Sequence, residues 1–181
     1  LRLLARGTAG HGSAPSPNAA TARLVRALAR LAEPEFAVQV LPEVQALYAR
    51  KAASLAEPLR EGARDLSAAL QNPTFREAFL QDAHHAGLVR NTLAITMLRG
   101  SDKENVIPGE ASAVLDMRLL PGQDPDAVRA ELIALIADPN IEVETLLSWS
   151  AHSTSADTPL CQAIAAQAQA RAPGAPVLAN V

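Results

Sequence analysis

The chain has 181 residues, enough for one ordinary domain or one domain with part of another. With 49% hydrophobic and 19% charged residues it is not a disordered polymer, and with only 3% aromatics its core must be built from Leu, Val, Ile and Ala. A net charge of -3 gives no electrostatic case for nucleic acid, no apolar run nears the roughly 20 residues of a membrane span, and the single Cys161 excludes an internal disulfide and a cysteine-built zinc site.

The chain opens on "LRLLARGTAG", in which Leu1, Leu3 and Ala5 alternate with Arg2, Leu4 and Arg6, the period of a strand. A start at Leu1, already inside strand pattern, is read as the start of a fragment. The loop "GTAGHGSAPSPNAA" crowds glycines and prolines around His11. Asn18 is the expected cap of the following helix. In that helix Thr21, Leu24, Val25, Leu28, Leu31 and Ala32 form an apolar stripe, with Arg23, Arg26 and Arg30 off it. Residues 34–88 show no strand pattern. Leu55, Leu59, Ala63, Leu66 and Leu70 follow helical spacing, and Asn72-Pro73 restarts a helix with Phe75 and Phe79 four apart. The segment is read as a helical insertion.

Strand pattern returns with Leu93, Ile95 and Met97 on one face. A second strand sets Ala111, Ala113, Leu115 and Met117 against Ser112, Val114, Asp116 and Arg118. The loop between them carries Asn105 and Pro108. Asp124-Pro125 starts a helix with Val128, Leu132, Ile133 and Ile136 on its apolar stripe. Ile141, Val143, Thr145 and Leu147 then alternate with Glu142 and Glu144. One more helix is expected over 158–172, and "PGAPVLANV" is read as the start of a further strand. The order strand, helix, insertion, strand, strand, helix, strand predicts an α+β fold, the ferredoxin-like β-α-β-β-α-β sandwich. Four antiparallel strands would pack on two helices, with the other sheet face partly wet.

Few residues offer chemistry. No His-Glu-x-x-His is present, and His84-His85 with Asp82 cannot converge from one helix, so they read as solvated. His152 lies in a polar loop and reads as a surface residue. Ser13 and Ser16 flank His11, but there is no Gly-x-Ser-x-Gly elbow and no Gly-x-Gly-x-x-Gly spacing. His11 stands apart because its loop offers no apolar packing. Arg118 allows two readings, an exposed or ion-paired arginine, since Asp116 shares its face, and a guanidinium fork for a carboxylate.

Three stretches, "GTAGHGSAPSPNAATARLVRALARL", "TMLRGSDKENVIPGEASAVLDMRLLPG" and "TPLCQAI", together resemble the dimerisation, or lid, domain of a zinc exopeptidase and aminoacylase family. That family includes carboxypeptidase G, acetylornithine deacetylase and succinyl-diaminopimelate desuccinylase. "LVRNTLAITML", "ENVIPGEASAVLDMRLLPGQDP", "IADPNIEVE" and the long insertion are most similar to the subgroup of Gly-X carboxypeptidases and N-fatty-acyl-amino-acid hydrolases. The resemblance implies a lid domain over 1–148, with its core at 1–33 and 89–148 and the insertion at 34–88. Residues 149–181 would return toward a catalytic domain outside the chain.

The resemblance also implies roles. His11, of Gly-His-Gly-Ser, would reach into the neighbouring subunit's active site and steady the oxyanion formed there. Asn105, of Asn-Val-Ile-Pro, would contact the substrate from the same lid, and Arg118 would bind the substrate's terminal carboxylate. The metal would be two zinc ions (or cobalt), about 3.5 Å apart as in two-metal hydrolases, held by motifs outside this chain. The chain has no His-x-Asp and no Glu-Glu, so it is expected to bind no metal and to be inactive alone. The parent is expected to be a homodimeric amide hydrolase acting on small peptides or N-acyl amino acids with a free carboxylate. The competing expectation is a stand-alone ferredoxin-like dimerisation or ligand-binding module without catalysis. Neither reading fixes a compartment.

Overall fold

The computed structural model describes residues 1–32, 36–155, 157–174 and 177. The strand expected in "PGAPVLANV" falls largely outside the described residues. The chain forms two compact units, Leu1–Phe36 with Asn91–Ala151, and Ala37–Arg90 with His152–Val181.

The first unit is the ferredoxin-like sandwich. Its sheet contains β1 (Arg2–Arg6), β3 (Thr92–Arg99), β5 (Glu110–Arg118) and β6 (Ile141–Glu144) in the order β3-β5-β1-β6, with every neighbour antiparallel. A two-stranded ribbon joins β2 (Gly10–His11) to β4 (Val106–Ile107). The helices are α1 (Ala20–Leu31) and α7 (Pro125–Ile136). The second unit supplies α2 (Pro42–Lys51), α3 (Leu59–Gly62), α4 (Leu66–Ala69), α5 (Pro73–Gln81), α6 (Ala83–Val89) and α8 (Pro159–Arg171).

The core of the sandwich follows the period-2 pattern of the strands. Leu3 and Ala5, Ala111, Ala113 and Leu115, and Ile141 and Val143 turn to one face and meet Leu24, Leu28, Leu31, Leu132 and Ile136. Two helical stripes differ from expectation. Val25 is 66% exposed and Ile133 43% exposed, while Ala20 and Ala27 are buried. Small alanines let α1 lie close to the sheet, which rotates the buried stripe toward them. Asn18 is not the helix cap either. Ala19 holds the cap position without a side-chain bond, and the Asn18 side chain instead accepts from Arg23 Nη2 at 3.2 Å. Asp124 does cap α7, with Pro125 in its first turn.

The open sheet face carries charge pairs across strands beside the apolar Leu4, Val114 and Met97. Arg2 pairs with Glu144, and Arg6 bonds Glu110 at 3.2 Å and Glu142 at 3.0 Å. These pairs are exposed and screened by solvent, so they add little to stability. β3 breaks the expected alternation. Ile95 faces Leu115, but Met97 faces Val114, because a bulge at Thr96 inserts one residue. The strand changes faces there, and Leu98 opposite Ala113 takes the helix-side position. β3 lies at the sheet edge and leaves Ile95, Met97 and Leu98 exposed by 37%, 48% and 64%.

Arg23 and Asp138 tie α1 to the end of α7. Arg23 Nη1 donates to both Asp138 oxygens at 2.9 and 2.8 Å, with both side chains mostly buried. Asp138 also accepts from the backbone and side-chain amides of Asn140, chiefly the backbone amide, and these bonds with Arg23 hold its carboxyl below the ordinary 3.8. A lowered folded value means the stabilisation is present above 3.8 and is lost as pH falls through the folded value. Asp138→Ala should therefore cost about 1–2 kcal/mol at neutral pH, read as a lower urea midpoint. The gap from the parent protein should narrow below pH 3.8.

In the second unit, the single helical run expected through Leu55 and Leu70 is divided. A short 3-10 turn at Ala52–Ser54 precedes α3 and α4, and Asp65 caps α4 through Ala68 N. The expected start at Asn72-Pro73 holds, with Asn72 accepting from the amides of Thr74 and Phe75. Tyr48, Leu66, Leu70, Phe79 and Val89 centre this unit's core. His85 is not simply solvated. Its ring stacks on Phe79 at 5.0 Å and meets Tyr48 edge-on at 5.7 Å. Burial, aided by the nearby Asp82, pushes the Tyr48 hydroxyl up to about 12.

Candidate functional site

The loop from residue 7 to residue 19 leaves β1 and closes on itself before α1. Gly7 N donates to Gly109 O at 3.0 Å and Thr8 N to Asn18 O at 3.0 Å. A Cβ on Gly7 would lie 2.2 Å from Asn18 O and 2.3 Å from Ala20 N, so only glycine fits there. Its close approach is to the start of α1, whereas Gly10 has open space around it.

The β2–β4 ribbon then brings two distant segments together. Gly10 pairs with Ile107 and His11 with Val106, and Gly12 N donates to Asn105 O at 2.8 Å. The chain turns at once, with Ala14 N donating to His11 O at 2.9 Å. Inside that turn the Ser13 backbone N–H donates to His11 Nδ1 at 3.2 Å, and the Ser13 hydroxyl lies 2.8 Å from the same nitrogen. On the other side of the ring, His11 Nε2 lies 3.5 Å from Asn105 Nδ2. Two residues 94 apart in sequence thus share one exposed site. Ser16 is not part of it, because its hydroxyl accepts from Asn18 N at 3.1 Å.

Arg118 stands elsewhere. The His11–Asn105 pair lies off the Glu110 end of β5, while Arg118 ends the same strand and pairs with Thr92. Eight residues of strand at 3.4 Å each separate the two ends by about 27 Å. The Arg118 side chain is 79% exposed and donates from Nη2 to Asp116 at 2.9 Å. One face of its guanidinium fork is therefore held in place by Asp116.

Among the described residues no group of three or more His, Cys, Asp and Glu side chains could hold a metal ion. His84 and His152 are exposed. A cleft of 530 Å³ in the second unit, bordered by Pro58, Gly62, Asp65, Asn72 and Phe75, contains none of the three candidate residues. No helix among the described residues is long and apolar enough to cross a membrane.

Sequence reasoning singled out His11 and Asn105 separately and passed over the part Ser13 takes. The available signal was the spacing His-Gly-Ser, which lets a serine amide turn back onto an imidazole two residues earlier.

Residues 1–144 match the family described as the peptidase dimerisation domain of M20 peptidases. No curated protein matches the chain. Among solved structures, human carnosine dipeptidase 1 is similar at a TM-score of 0.55 and 21% identity, over 94% of this chain and 40% of that one. A metallo-carboxypeptidase of the M20 family from Sulfolobus solfataricus is similar at a TM-score of 0.54 and 18% identity, over 93% and 47%. At these identities the likeness is one of fold. The chain spans less than half of the length of either structure.

Proposed function

The chain belongs to the peptidase dimerisation domain family, and on that premise we propose that it is the self-associating lid of a metal-dependent amide hydrolase. The substrates are small peptides or N-acyl amino acids with a free carboxylate. The metal, zinc or cobalt as a pair of ions, would polarise the scissile carbonyl and activate water. Among the described residues no group of three or more His, Cys, Asp and Glu side chains would hold such a pair; in this reading its ligands would come from a catalytic domain outside this chain.

What this chain contributes is hydrogen-bond donors and an interface. The carrying observation is the meeting of His11 and Asn105 in an exposed loop pair. Exposed donors held by a ribbon suit a site completed by another surface. In the proposed dimer, His11 and Asn105 enter the partner's active site, where the imidazole donates to the carbonyl oxygen as negative charge develops. Preorganised donors at a developing oxyanion are worth more than donors in water.

Arg118 takes the carboxylate, offering the guanidinium edge that Asp116 leaves free. The separation of about 27 Å along β5 is longer than a dipeptide. One protomer's His11 and Arg118 therefore serve different substrate molecules, one in each active site of the dimer. The β3 edge supports self-association, since it is long, unpaired on its outer side and lined by Ile95 and Leu98. A symmetric partner would add its own β3 there.

The test is hydrolysis by the full-length protein of dipeptides and of long-chain N-acyl amino acids, before and after chelation. The expected result is hydrolysis of one class, lost with chelator and restored by zinc or cobalt. No hydrolysis of either class would favour the stand-alone module.

A further inference from the structure

We propose that Ser13 is a positioning residue that sets the tautomer of His11, so that Nε2 carries the proton and points it out of the loop. This rests on the reading of His11 as an oxyanion donor, and it names the group that makes the donor available. A backbone N–H can only donate. The Ser13 amide is aimed at Nδ1 at 3.2 Å, so Nδ1 is the acceptor. A neutral imidazole with Nδ1 as acceptor carries its proton on Nε2. The Ser13 hydroxyl, 2.8 Å from Nδ1, rotates to donate to the same lone pair and reinforces the choice.

The Ser13 amide and hydroxyl thus meet at one Nδ1 lone pair, and Ser13 acts on the ring rather than as a nucleophile. Among the described residues no carboxylate bonds the far side of the ring. What lies there is the Asn105 amide nitrogen at 3.5 Å, a donor that could bond Nε2 only in the opposite tautomer, and the shorter amide bond at Nδ1 outweighs it. With Nε2 protonated, two N–H donors stand side by side, and one oxygen can sit about 2.9 Å from both. That is the geometry an oxyanion or carboxylate oxygen requires. The opposite tautomer would present a bare lone pair to the same oxygen and repel it.

The turn explains why the choice is built in rather than left to the substrate. His11 O accepts from Ala14 N, which fixes the Ser13 amide beneath the ring, and Gly12 N donates to Asn105 O, which fixes Asn105 beside it. One turn thus settles both which ring nitrogen is protonated and which neighbour shares its target.

The experiment has two readouts. The first is the long-range 1H–15N correlation spectrum of the chain labelled with 15N-histidine at about pH 8, where imidazole is neutral. His11 is assigned by the peaks lost in His11→Gln. The expected result is the Nε2–H tautomer in the parent chain and in Ser13→Thr. In Ser13→Asp, whose carboxylate only accepts, the proton should move to Nδ1. The second readout is kinetic, in the full-length enzyme. Ser13→Ala should lower kcat about 10-fold with KM little changed, and Ser13→Thr should restore it. A side chain that only shaped the loop would leave the tautomer unmoved. An Nδ1–H tautomer in the parent chain overturns the inference. A Ser13→Asp variant that keeps Nε2–H, or Ser13→Ala with full kcat, overturns the part given to the hydroxyl and leaves the backbone amide alone as the group that sets the tautomer. The failure of the underlying reading looks different. Turnover unchanged in His11→Ala would sink the oxyanion role while leaving the tautomer result intact.

Discussion

His11→Ala in the full-length enzyme is expected to lower kcat by about 100- to 1,000-fold, with KM changed far less, as measured by steady-state hydrolysis. The reason lies in when the donor matters. A carbonyl oxygen in the ground state accepts a hydrogen bond weakly, whereas the oxyanion accepts it strongly, so the loss falls on the chemical step. Asn105→Ala should act in the same direction and more weakly, because its amide stands beside the imidazole at 3.5 Å. Both side chains are exposed, so neither substitution opens a cavity, and unfolding midpoints should not move. A loss confined to KM would assign His11 to ground-state binding instead.

Leu98→Glu should convert the dimer to monomer and remove activity with it. Leu98 is 64% exposed on the edge strand β3, so the change costs the isolated fold little. Placed between two edge strands, the carboxylate would be buried without a partner. The dissociation constant should rise at least about 30-fold, read by sedimentation at falling concentration. Activity should fall in step with dimer, because a monomer has no neighbour to supply His11. A stable, fully active monomer would refute the shared site.

These two expectations draw on information the sequence holds unequally. Strand alternation in β5, the cap at Asp124 and the restart at Asn72-Pro73 are local, and each is legible in its own few residues. The bulge at Thr96 is a property of pairing with β5, so alternation alone placed Met97 on the wrong face. The stripe of α1 shifted because packing favoured Ala20 and Ala27 over Val25, a choice made by the sheet. His85 joined an aromatic core that depends on Phe79 and Tyr48 from two other helices.

The candidate site shows the same division. His11 was conspicuous because a glycine- and proline-rich loop gives a histidine nothing to pack against. Its meeting with Asn105 needed the β2–β4 ribbon, which is two residues long on each side and leaves no periodic trace. The distance to Arg118 needed the strand order. Both are needed before the proposed pattern of two sites, each served from two protomers, can be stated.

The central claim is that His11 works in its neighbour's active site, and mixed dimers test it most directly. One subunit carries His11→Ala, and the other carries an intact His11 with a disabled metal site in its catalytic domain. Each homodimer should be inactive. After mixing in equal amounts, about half of the dimers are hybrids with one complete site each, so activity should return to about a quarter of the parent enzyme's. No recovery in verified hybrids would contradict the account, since it would place His11 in its own subunit's site.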